Sequence, residues 1–598
     1  MAWSEQQTAA IETKNKNLLV AAAAGSGKTS VLVERIIQKI LHKEEPLNID
    51  QVLVMTFTNA AATEMIERIA FAIASALKEK PNSHHLEKQL VLLNMSFIST
   101  IHSFCQNIIK QNFHLLNIDP KFRLANEQEI NLLRYDVMES LFEEKYEQGH
   151  EGFLNFVDHY GNDRNDEDLY NIILSLYKFS CSQPFPRDWL QQLSDSFAVN
   201  VANIDQTIWT KIIKEQIALD FQEALEYVEE MIDLASEVGF EFYIPIFEQD
   251  RAIIVNYMSK LKESWDELRN EIYAYKAPTL KAEKGVDEDQ KKIFQDKRKK
   301  VKDLINKIKD DYFQMSGQEM LRDLELVKPM INGIAQLTID FSEKFMQAKA
   351  QKAIMDFNDL EHFCLKILMA PESTATNLKP STVALNLQVK YQEVMVDEYQ
   401  DTNGVQEAIL SLVRKENKPN LFLVGDVKQS IYRFRLAEPE LFLEKYLSYP
   451  KLGEDFTRID LAQNFRSRKS VLAGINFIFA QVMAPKVAEL DYTREEWLNP
   501  GPDYPVTAHK TFDEFVELNL ISIEKNNGEN EDLAESEEEE LSGFNLEAEY
   551  IAQKIKQLLQ EKTYIFDKEL KEYRLLQLRD IVVLLRSVKN KANILLDS

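Results

Sequence analysis

Residues 17–41 read NLLVAAAAGSGKTSVLVERIIQKIL, a stretch that predicts a buried strand, a glycine-rich turn and an amphipathic helix, in that order. Its first part, 18–22, is a short apolar run, and from Val31 to Ile40 apolar residues recur at helical spacing. Alanine and glycine fill a core poorly, but a backbone that carries them can approach another group very closely. The stretch therefore predicts a strand–turn–helix unit whose turn lies against a ligand.

The turn fits a nucleoside triphosphate. GSGKT supplies the core of the pattern G-x-x-x-x-G-K-[ST], with Ala22 at the position of its first glycine. Backbone N–H groups of small residues can surround phosphates, and the helix N-terminus adds a positive dipole. Lys28 would reach the β- and γ-phosphates of ATP, and Thr29 would ligate Mg²⁺. The predicted nucleotide-binding residues are Ala22, Ala23, Ala24, Gly25, Ser26, Gly27, Lys28, Thr29 and Ser30. The alternative is a glycine turn that only caps an ordinary helix.

An acidic pair follows a second apolar run, in EVMVDEYQDTN (393–403). Ligands of open α/β sheets lie at the carboxyl ends of the strands, and Asp397 and Glu398 come directly after the run 394–396. Asp397 is predicted to hold Mg²⁺, directly or through water. Glu398 is predicted to orient and polarise the attacking water. An acidic turn after a strand, without a ligand, is the alternative interpretation.

A third apolar run ends at Gly425–Asp426, in NLFLVGDVKQSIYRFRLAEPELF (420–442). Gln429 follows it, with a side chain that can sense a γ-phosphate. Aromatic and basic residues then alternate from Tyr432 to Arg435, a mixture suited to single-stranded nucleic acid because bases stack on rings and cations meet phosphates. A pair of core aromatics flanked by solvated arginines would give the same pattern.

A fourth segment, IDLAQNFRSRKSVL (459–472), places Phe465 and Arg466 between a predicted strand and a predicted helix. An arginine at this point can neutralise charge on a transferred phosphoryl group. The ring of Phe465 could stack on a nucleobase. A helix N-terminal segment with an unrelated arginine is the alternative.

Taken together and in order, these segments resemble the motifs of superfamily 1A DNA helicases of the UvrD, PcrA and RecB kind. The matching segments are WSEQQTAAI (Q motif), AAAAGSGKT (motif I), VLVMTFTNAAATEMIERI (Ia), ISTIHSFC (Ib), VMVDEYQDTN (II), LVGDVKQSIYRFR (III) and LAQNFRSR (IV). Seven ordered motifs are far more specific than any one of them. In finer wording they are most similar to the AddA (RexA) family of helicase/nuclease subunits of Gram-positive bacteria.

The resemblance implies an α/β fold: a P-loop, RecA-like, parallel-sheet motor lobe with a large, mostly helical insert and part of a second RecA-like lobe. It implies an ATP- and Mg²⁺-dependent motor that moves 3′→5′ on single-stranded DNA in the cytoplasm. The implied partners are single-stranded and duplex-end DNA and a second helicase–nuclease subunit of the AddB (RexB) type, in double-strand-break processing and recombination repair, without a membrane.

Motif by motif, the resemblance also implies a role for individual residues. Gln7 and Phe465 would hold adenine, and the catalytic residues would be Lys28, Glu398, Gln429 and Arg466. The residues expected to touch DNA are Thr56, Phe57, Thr58, Asn59, His102, Tyr432, Phe434 and Arg435. His102 could instead cap its helix, and Phe57 could belong to the core. Ser30 is a departure, because many relatives carry arginine there on the adenine side.

The motifs divide the chain into predicted domains. The first motor lobe takes 1–105 and 356–481, the helical insert takes 106–355, and the start of the second lobe takes 482–598. Predicted helices include 127–146, 217–238, 356–370 and 545–561, and predicted strands of the second lobe are 515–523 and 578–587. The Lys/Glu-rich stretch 281–312 predicts a solvated helical hairpin or loop, whose basic run 297–300 is more typical of a solvated face than of a DNA contact. Residues 524–543 are predicted to be disordered.

Composition sets outer limits. The 598 residues carry a net charge of −27, and the stretch 524–549, with eleven acidic residues and one basic, contributes −10 of it. Since the remainder is also acidic, a site for DNA must be a local groove. Three widely spaced cysteines predict neither a disulfide framework nor a metal site and fit a reducing compartment. The apolar runs are far shorter than the ~20 residues of a membrane span.

We find no match to motifs V and VI and no nuclease signature, and therefore expect the chain to be the N-terminal part of a longer protein. Two other functions stay open at this point. A stand-alone UvrD-type repair helicase would lack a large partner subunit, and a nucleotide-gated DNA-binding module would bind ATP without splitting it. A P-loop kinase would leave the QSIYRFR segment without a role.

Overall fold

The computed structural model describes residues 3–598 except 43, 117, 150, 162–165, 198–202, 279, 281–287, 485–487, 489, 502–503, 512–515, 523–536 and 569. The chain forms two compact units. The first is Met1–Asn112 with Phe363–Ser598, and the second is Phe113–His362. The finer lobe boundaries at 105, 355 and 481 stay predictions. Among the described residues, no helix has both the length and the apolar character needed to cross a membrane.

A six-stranded sheet organises the first unit. Its strands, all parallel, lie in the order β3-β2-β6-β7-β1-β8. Their bounds are β1 Asn17–Ala22, β2 Val52–Thr56, β3 Phe97–Thr100, β6 Glu393–Val396, β7 Leu421–Gly425 and β8 Phe456–Leu461. The predicted α/β fold with a parallel sheet is confirmed.

The sheet is buried, which explains why its strands are continuous apolar runs rather than alternating ones. Every residue of β2, β6 and β7 is buried. Strand residues such as Val20, Val54 and Phe422 pack in one core with residues of the following helices such as Ile36 and Met65. Burial of this core therefore fixes where the strands end, and with them the loops that carry the motifs.

The first unit contains helices between the strands of the sheet and further helices after its last strand. Those of the first unit are α1 Glu5–Glu12, α2 Lys28–Ile40, α3 Asn59–Glu79, α4 His84–Leu93, α5 Ile101–Asn112, α16 Thr382–Lys390, α17 Gly404–Val413, α18 Pro439–Ser448, α19 Lys469–Val482, α20 Glu537–Gln560 and α21 Lys591–Asp597. Short pairs complete this unit: β9 Gln463–Asn464 with β10 Asn499–Pro500, and β11 Tyr564–Asp567 with β12 Glu572–Leu575.

The second unit is built mainly of helices. They are α6 Glu127–Gln148, α7 Glu151–Tyr160, α8 Glu167–Ser180, α9 Pro186–Asp195, α10 Ile208–Glu237, α11 Ile244–Glu263, α12 Trp265–Tyr273, α13 Glu288–Tyr312 and α14 Gly317–Gln351. Helix α15, Phe357–Leu368, spans the second boundary between the units. The parallel pair β4 Arg123–Leu124 and β5 Ile354–Met355 joins the beginning of this unit to its end.

The predicted helices at 127–146, 217–238, 356–370 and 545–561 are confirmed, the last beginning earlier, at Glu537. Of the predicted disordered stretch 524–543, residues 537–543 therefore belong to a helix, and 524–536 lie outside the described residues. The acidic side chains did not prevent a helix, because glutamate is a good helix former.

For residues 288–312 the predicted helical character is confirmed, but the prediction of a solvated hairpin or loop is wrong. Residues 288–312 form one helix, and Phe294, Val301 and Ile305 are buried along one face of it; residues 281–287 lie outside the described residues. The basic run is also engaged: Lys297 pairs with Glu230, and Arg298 Nε lies 2.7 Å from Asp250 Oδ2. The few apolar residues on one face of this helix are separated by many charged residues, so the sequence did not indicate a buried face.

The predicted strands at 515–523 and 578–587 are wrong for the residues described. Residues 516–522 form no regular element, and Leu578–Asp580 is a single 3₁₀ turn. Among the described strands, β11 and β12 pair with each other and neither segment joins them in a sheet. Leu518 and Leu584 are 83% and 89% exposed. Apolar alternation predicts a strand tendency but supplies no partner strand.

A buried ion pair fastens α1 and α2 to the sheet. Arg35 is 2% exposed, and its Nε donates to Glu393 Oε1 at 2.7 Å. Its Nη1 donates to the carbonyl of Ala10 at 2.8 Å, and its guanidinium lies 4.6 Å from the ring centroid of Phe422. Lys39 Nζ lies 2.5 Å from the other oxygen of Glu393. Both oxygens of Glu393 are therefore paired, and the cluster orients the helix that begins at the glycine-rich turn.

We expect Glu393→Leu to destabilise the sheet by about 3–5 kcal/mol, because it leaves Arg35 buried without its counter-charge. The double variant Arg35→Leu/Glu393→Leu should cost less than Glu393→Leu alone, since it removes both buried charges. Native-state hydrogen exchange of the amides of β1 and β6 measures this. Glu561→Leu, in an exposed pair with Lys510, is the control and should change protection by less than about 1 kcal/mol. Equal losses in the single and double variants would contradict the expectation.

Candidate active site

The glycine-rich turn lies between the end of β1 and the start of α2, and a later segment of the chain lies directly against it. Gly25 has φ +71°, and a Cβ there would come within 2.6 Å of Asn464 Nδ2. Asn464 Nδ2 donates to the carbonyl of Ala24 at 2.6 Å, and Phe465 N donates to the carbonyl of Gly25 at 2.8 Å. The same absent Cβ would lie 2.9 Å from Arg466 Cβ. Glycine is favoured here because φ is positive and because a Cβ would overlap the side chains of Asn464 and Arg466.

Gln7 reaches the same turn from the opposite side. Its Nε2 donates to the carbonyl of Ser26 at 2.9 Å, and its Oε1 accepts from Ser4 N at 2.9 Å. The capping box at the start of α1 thus fixes the amide plane. The Ser26 hydroxyl is buried and has no hydrogen-bond partner among the described residues. Gln7, Phe465 and Arg466 therefore lie around a turn in which the Ser26 hydroxyl has no hydrogen-bond partner among the described residues.

Lys28, the first residue of α2, forms an ion pair with Glu398. Lys28 Nζ lies 2.7 Å from Glu398 Oε2, and Gln400 Nε2 donates to the same oxygen at 2.8 Å. Glu398 has φ +53°, in the left-handed region that favours glycine. Residues held in such a conformation are concentrated at functional sites. The fold thus brings together two sequence-predicted residues that are 370 positions apart.

Three carboxyl groups crowd the end of β6, and Lys28 is one nearby cation that opposes their charge. Burial raises the pKa of Asp397 to about 6, with Glu398 adding to the rise and Lys28 opposing it. Burial likewise raises the pKa of Asp401 to about 6, again with Glu398 adding to it. Asp401 Oδ1 is buried without a hydrogen-bond partner among the described residues. Such a cluster is suited to receive a further cation.

The residues present fit a Mg²⁺ that is held only in part by the protein, with waters and substrate phosphates as its other ligands. Among the described residues, no group of three or more His, Cys, Asp or Glu side chains is placed to hold a metal ion. Mg²⁺ usually takes one or two carboxylates together with waters and substrate phosphates. Asp397 at the end of β6 and Thr29 in the first turn of α2 offer such a partial set.

Gln429 is held at the same edge through Asp426. Gln400 Oε1 accepts from Asp426 N at 2.9 Å, and Gln429 Nε2 donates to Asp426 Oδ2 at 2.8 Å. A Cβ at Gly425 would come within 2.4 Å of Gln400 Oε1, so only glycine allows this approach. Hydrogen bonds therefore run without interruption from Lys28 through Glu398, Gln400 and Asp426 to Gln429.

The sequence-predicted DNA residues gather around an aromatic group, formed by Phe57, Tyr432 and Phe434. The rings of Phe57 and Tyr432 are stacked, with centroids 4.7 Å apart, and Phe434 lies 5.8 Å from Tyr432. The Arg435 guanidinium lies 5.1 Å from the ring centroid of Tyr432. Phe57 is 36% exposed and Phe434 68% exposed, so neither is a core residue.

The other predicted DNA residues occupy turns at the ends of β2 and β3. Thr56 ends β2, and its Oγ1 donates to the carbonyl of Thr58. The Thr58 hydroxyl caps α3 by accepting from Ala61 N at 3.2 Å. Asn59 is the first residue of that helix. His102 lies at the start of α5, after β3, which pairs with β2. His102 is thus one strand away from the turn that carries Phe57.

Sequence reasoning missed several residues that shape the site. Gln400, inside a motif, links Glu398 to Asp426, and its amide could have been considered. Asn464 stands beside Phe465 and Arg466 in a motif but had no predicted role, and it links the two loops at the turn. Arg68, on α3, places Nη1 3.4 Å from Ser30 Oγ. A cation thus reaches Ser30, the position where the sequence departs from many relatives. Glu496 lies outside every motif, and no sequence signal identified it.

Comparison with known proteins shows what this chain is similar to. An ATP-dependent helicase/nuclease subunit of Clostridium botulinum (strain Alaska E43 / Type E3) is 42% identical over 612 residues, covering 100% of this chain and 49% of that relative. The protein of the same name from Anoxybacillus flavithermus (strain DSM 21510 / WK1) is 43% identical over 605 residues, covering 99% of this chain and 49% of the relative. The chain therefore spans about half the length of the curated relatives it matches.

The predicted resemblance to helicase/nuclease subunits is thus confirmed. The sequence model described as the UvrD/REP helicase N-terminal domain matches residues 3–450, which is most of the chain. The chain therefore belongs to the UvrD/REP helicase family.

Proposed function

We propose that this chain is the ATP-driven motor portion of an AddA-type helicase/nuclease, which moves 3′→5′ along single-stranded DNA. The observation that carries the proposal is the ion pair of Lys28 with Glu398 beside the turn against which Asn464, Phe465 and Arg466 pack. A lysine, an acidic residue after a strand and the segment that carries Arg466 are then grouped at the same turn. That combination supports hydrolysis of a nucleoside triphosphate.

In the proposed reaction, binding of ATP breaks the ion pair between Lys28 and Glu398. Lys28 leaves Glu398 for the β- and γ-phosphates, and Glu398 is then free to orient the attacking water and accept its proton. Arg466 stabilises the negative charge that develops on the transferred phosphoryl group. Asp397 and Thr29 would hold Mg²⁺, which neutralises phosphate charge when bound. The chemistry requires positioning more than covalent assistance.

Adenine is proposed to lie between Gln7 and Phe465. Gln7 is held by Ser4 and by the carbonyl of Ser26, so its amide is oriented before any ligand arrives. Phe465 is fixed through its backbone to Gly25. A preorganised amide and a ring offer hydrogen bonding and stacking to a base. The Arg68 guanidinium near Ser30 supplies positive charge on this side.

DNA is proposed to bind along the turns after β2, β3 and β7. The exposed rings of Phe57, Tyr432 and Phe434 offer stacking surfaces that tolerate any base, and Arg435 offers a phosphate contact. Thr56, Thr58, Asn59 and His102 add polar contacts. This is a local cationic and aromatic surface on a chain whose net charge is −27.

A second protein of the AddB type is the proposed partner, because relatives at 42–43% identity are named as one subunit of a helicase/nuclease. The proposed setting is double-strand-break processing in the cytoplasm. Co-purification of the full-length protein with one large second subunit would support this proposal. Isolation of the full-length protein as an active monomer would favour a stand-alone repair helicase instead.

We expect Lys28→Ala in the full-length protein to reduce DNA-stimulated ATP hydrolysis by at least about a hundredfold, because it removes the phosphate-binding cation. Single-stranded DNA binding should stay within about twofold of wild type, since the aromatic group is untouched. Steady-state phosphate release and fluorescence anisotropy measure the two quantities. Lys88→Ala, at an exposed position of α4, is the control. Wild-type turnover in Lys28→Ala would refute the proposed nucleotide site.

We expect Phe57→Ala and Tyr432→Ala each to weaken binding of an oligo-dT strand by roughly tenfold, since stacking contributes about 1–3 kcal/mol per base. Anisotropy titrations of a labelled strand at fixed salt provide the measurement. Phe71→Ala removes a ring that is 75% exposed on α3 but belongs to no predicted site, and it should have no effect. Equal losses in all three variants would show that the aromatic group has no special role.

A further inference from the structure

Glu496, a residue outside every motif, is joined to the proposed nucleotide site by a buried network. Its Oε2 lies 3.0 Å from Lys428 Nζ, which lies 3.0 Å from Asp426 Oδ1. Tyr446 OH donates to Glu496 Oε1 at 2.5 Å. The side chains of Asp426, Glu496 and Lys428 are only 3%, 12% and 17% exposed. The network is therefore shielded from solvent and sensitive to the loss of one charge.

Asp426 divides its two carboxylate oxygens between Lys428 and Gln429. Oδ1 accepts from the backbone N of Lys428 at 3.2 Å and faces its ammonium, while Oδ2 accepts from Gln429 Nε2 at 2.8 Å. Burial lowers the pKa of Lys428, but Asp426 and Glu496 outweigh burial and leave that pKa raised. Lys428 is thus a cation shared by two carboxylates.

We propose that Glu496 is a positioning residue for Gln429: it holds part of the Lys428 charge and so leaves Asp426 to orient the Gln429 amide. Without Glu496, the whole ammonium pairs with Asp426 and draws that carboxylate away from Gln429. This inference rests on the proposed function, in which Gln429 reads the γ-phosphate. It adds Glu496 to that site as a residue that acts on Gln429 through Lys428 and Asp426.

The segment around Glu496 also supports the other side of the site. Asn499–Pro500 pairs with Gln463–Asn464, and Gly501 N donates to the carbonyl of Asn464 at 2.8 Å. Asn464 Oδ1 in turn accepts from the backbone N of Arg466 at 2.8 Å. One segment, 492–501, is thereby linked by hydrogen bonds and ion pairs to the surroundings of both Gln429 and Arg466.

The test compares affinities for ADP and for the non-hydrolysable ATP analogue AMP-PNP, with Mg²⁺, on the full-length protein by calorimetry. The preference for the analogue over ADP reports recognition of the γ-phosphate. Gln429→Ala and Glu496→Ala are each expected to lower this preference by about tenfold, the size of one charge-assisted hydrogen bond. The Kd for ADP should stay within about twofold in both variants.

Matched variants distinguish a role of Glu496 in orienting Gln429 from a purely structural role. Glu495→Ala removes the neighbouring carboxylate, which is 83% exposed, and should leave the preference unchanged. The double variant Lys428→Met/Glu496→Leu removes the competing cation together with Glu496, and should recover the preference to within about threefold of wild type. A purely structural role predicts the opposite, since the double variant would lose more contacts. Glu496→Gln keeps an acceptor for Tyr446 and should give an intermediate value if Glu496→Ala folds poorly.

The inference is overturned if Glu496→Ala keeps the wild-type preference while Gln429→Ala loses it. It is also overturned if neither variant changes the preference, because Gln429 would then read no γ-phosphate. Failure of the proposed function gives a different result: the wild-type chain would bind neither nucleotide, or Lys28→Ala would bind both as tightly as wild type.

Discussion

The parallel pairing of β1 with β7 on one side and β8 on the other is the constraint on which the site depends. Val20 lies level with Val424 in one neighbour and with Ile459 in the other. The three strands therefore reach one edge of the sheet together, and the loops that follow them meet there. Because these strands are buried in one apolar core, their pairing also fixes where the loops that follow them begin.

Buried charge is treated differently at the two ends of the sheet. At the amino end of β6, the Glu393 carboxylate is paired with two cations, Arg35 and Lys39. At its carboxyl end, Asp397 and Asp401 have pKa values raised to about 6 by burial and by Glu398. The first cluster pairs its carboxylate in full, whereas the second has more carboxyl groups than nearby cations. Such perturbed carboxyl groups are concentrated at functional sites.

Much of the site could be predicted because its residues follow strands directly. Each apolar run that ends in a polar motif marks the carboxyl end of a parallel strand, and such ends lie on one edge. The roles of Gln400 and Glu496 could not be predicted in this way, because they depend on side-chain reach across loops. The strands predicted at 515–523 and 578–587 failed for a related reason: alternation reports the tendency of one segment, whereas a strand needs a second.

The two halves of the site are far apart in the sequence, and the fold of the second unit lowers the entropic cost of bringing them together. Lys28 and Glu398 are 370 residues apart, and closing a flexible loop of that length costs entropy. The second unit has its own cores, and β4 at its beginning pairs with β5 at its end. Once it folds, the residues between Leu124 and Ile354 no longer contribute free length, since their ends are already joined. The first unit then closes its sheet over a much shorter effective loop, so an insert rich in local helical contacts can be accommodated within a parallel sheet without preventing its assembly.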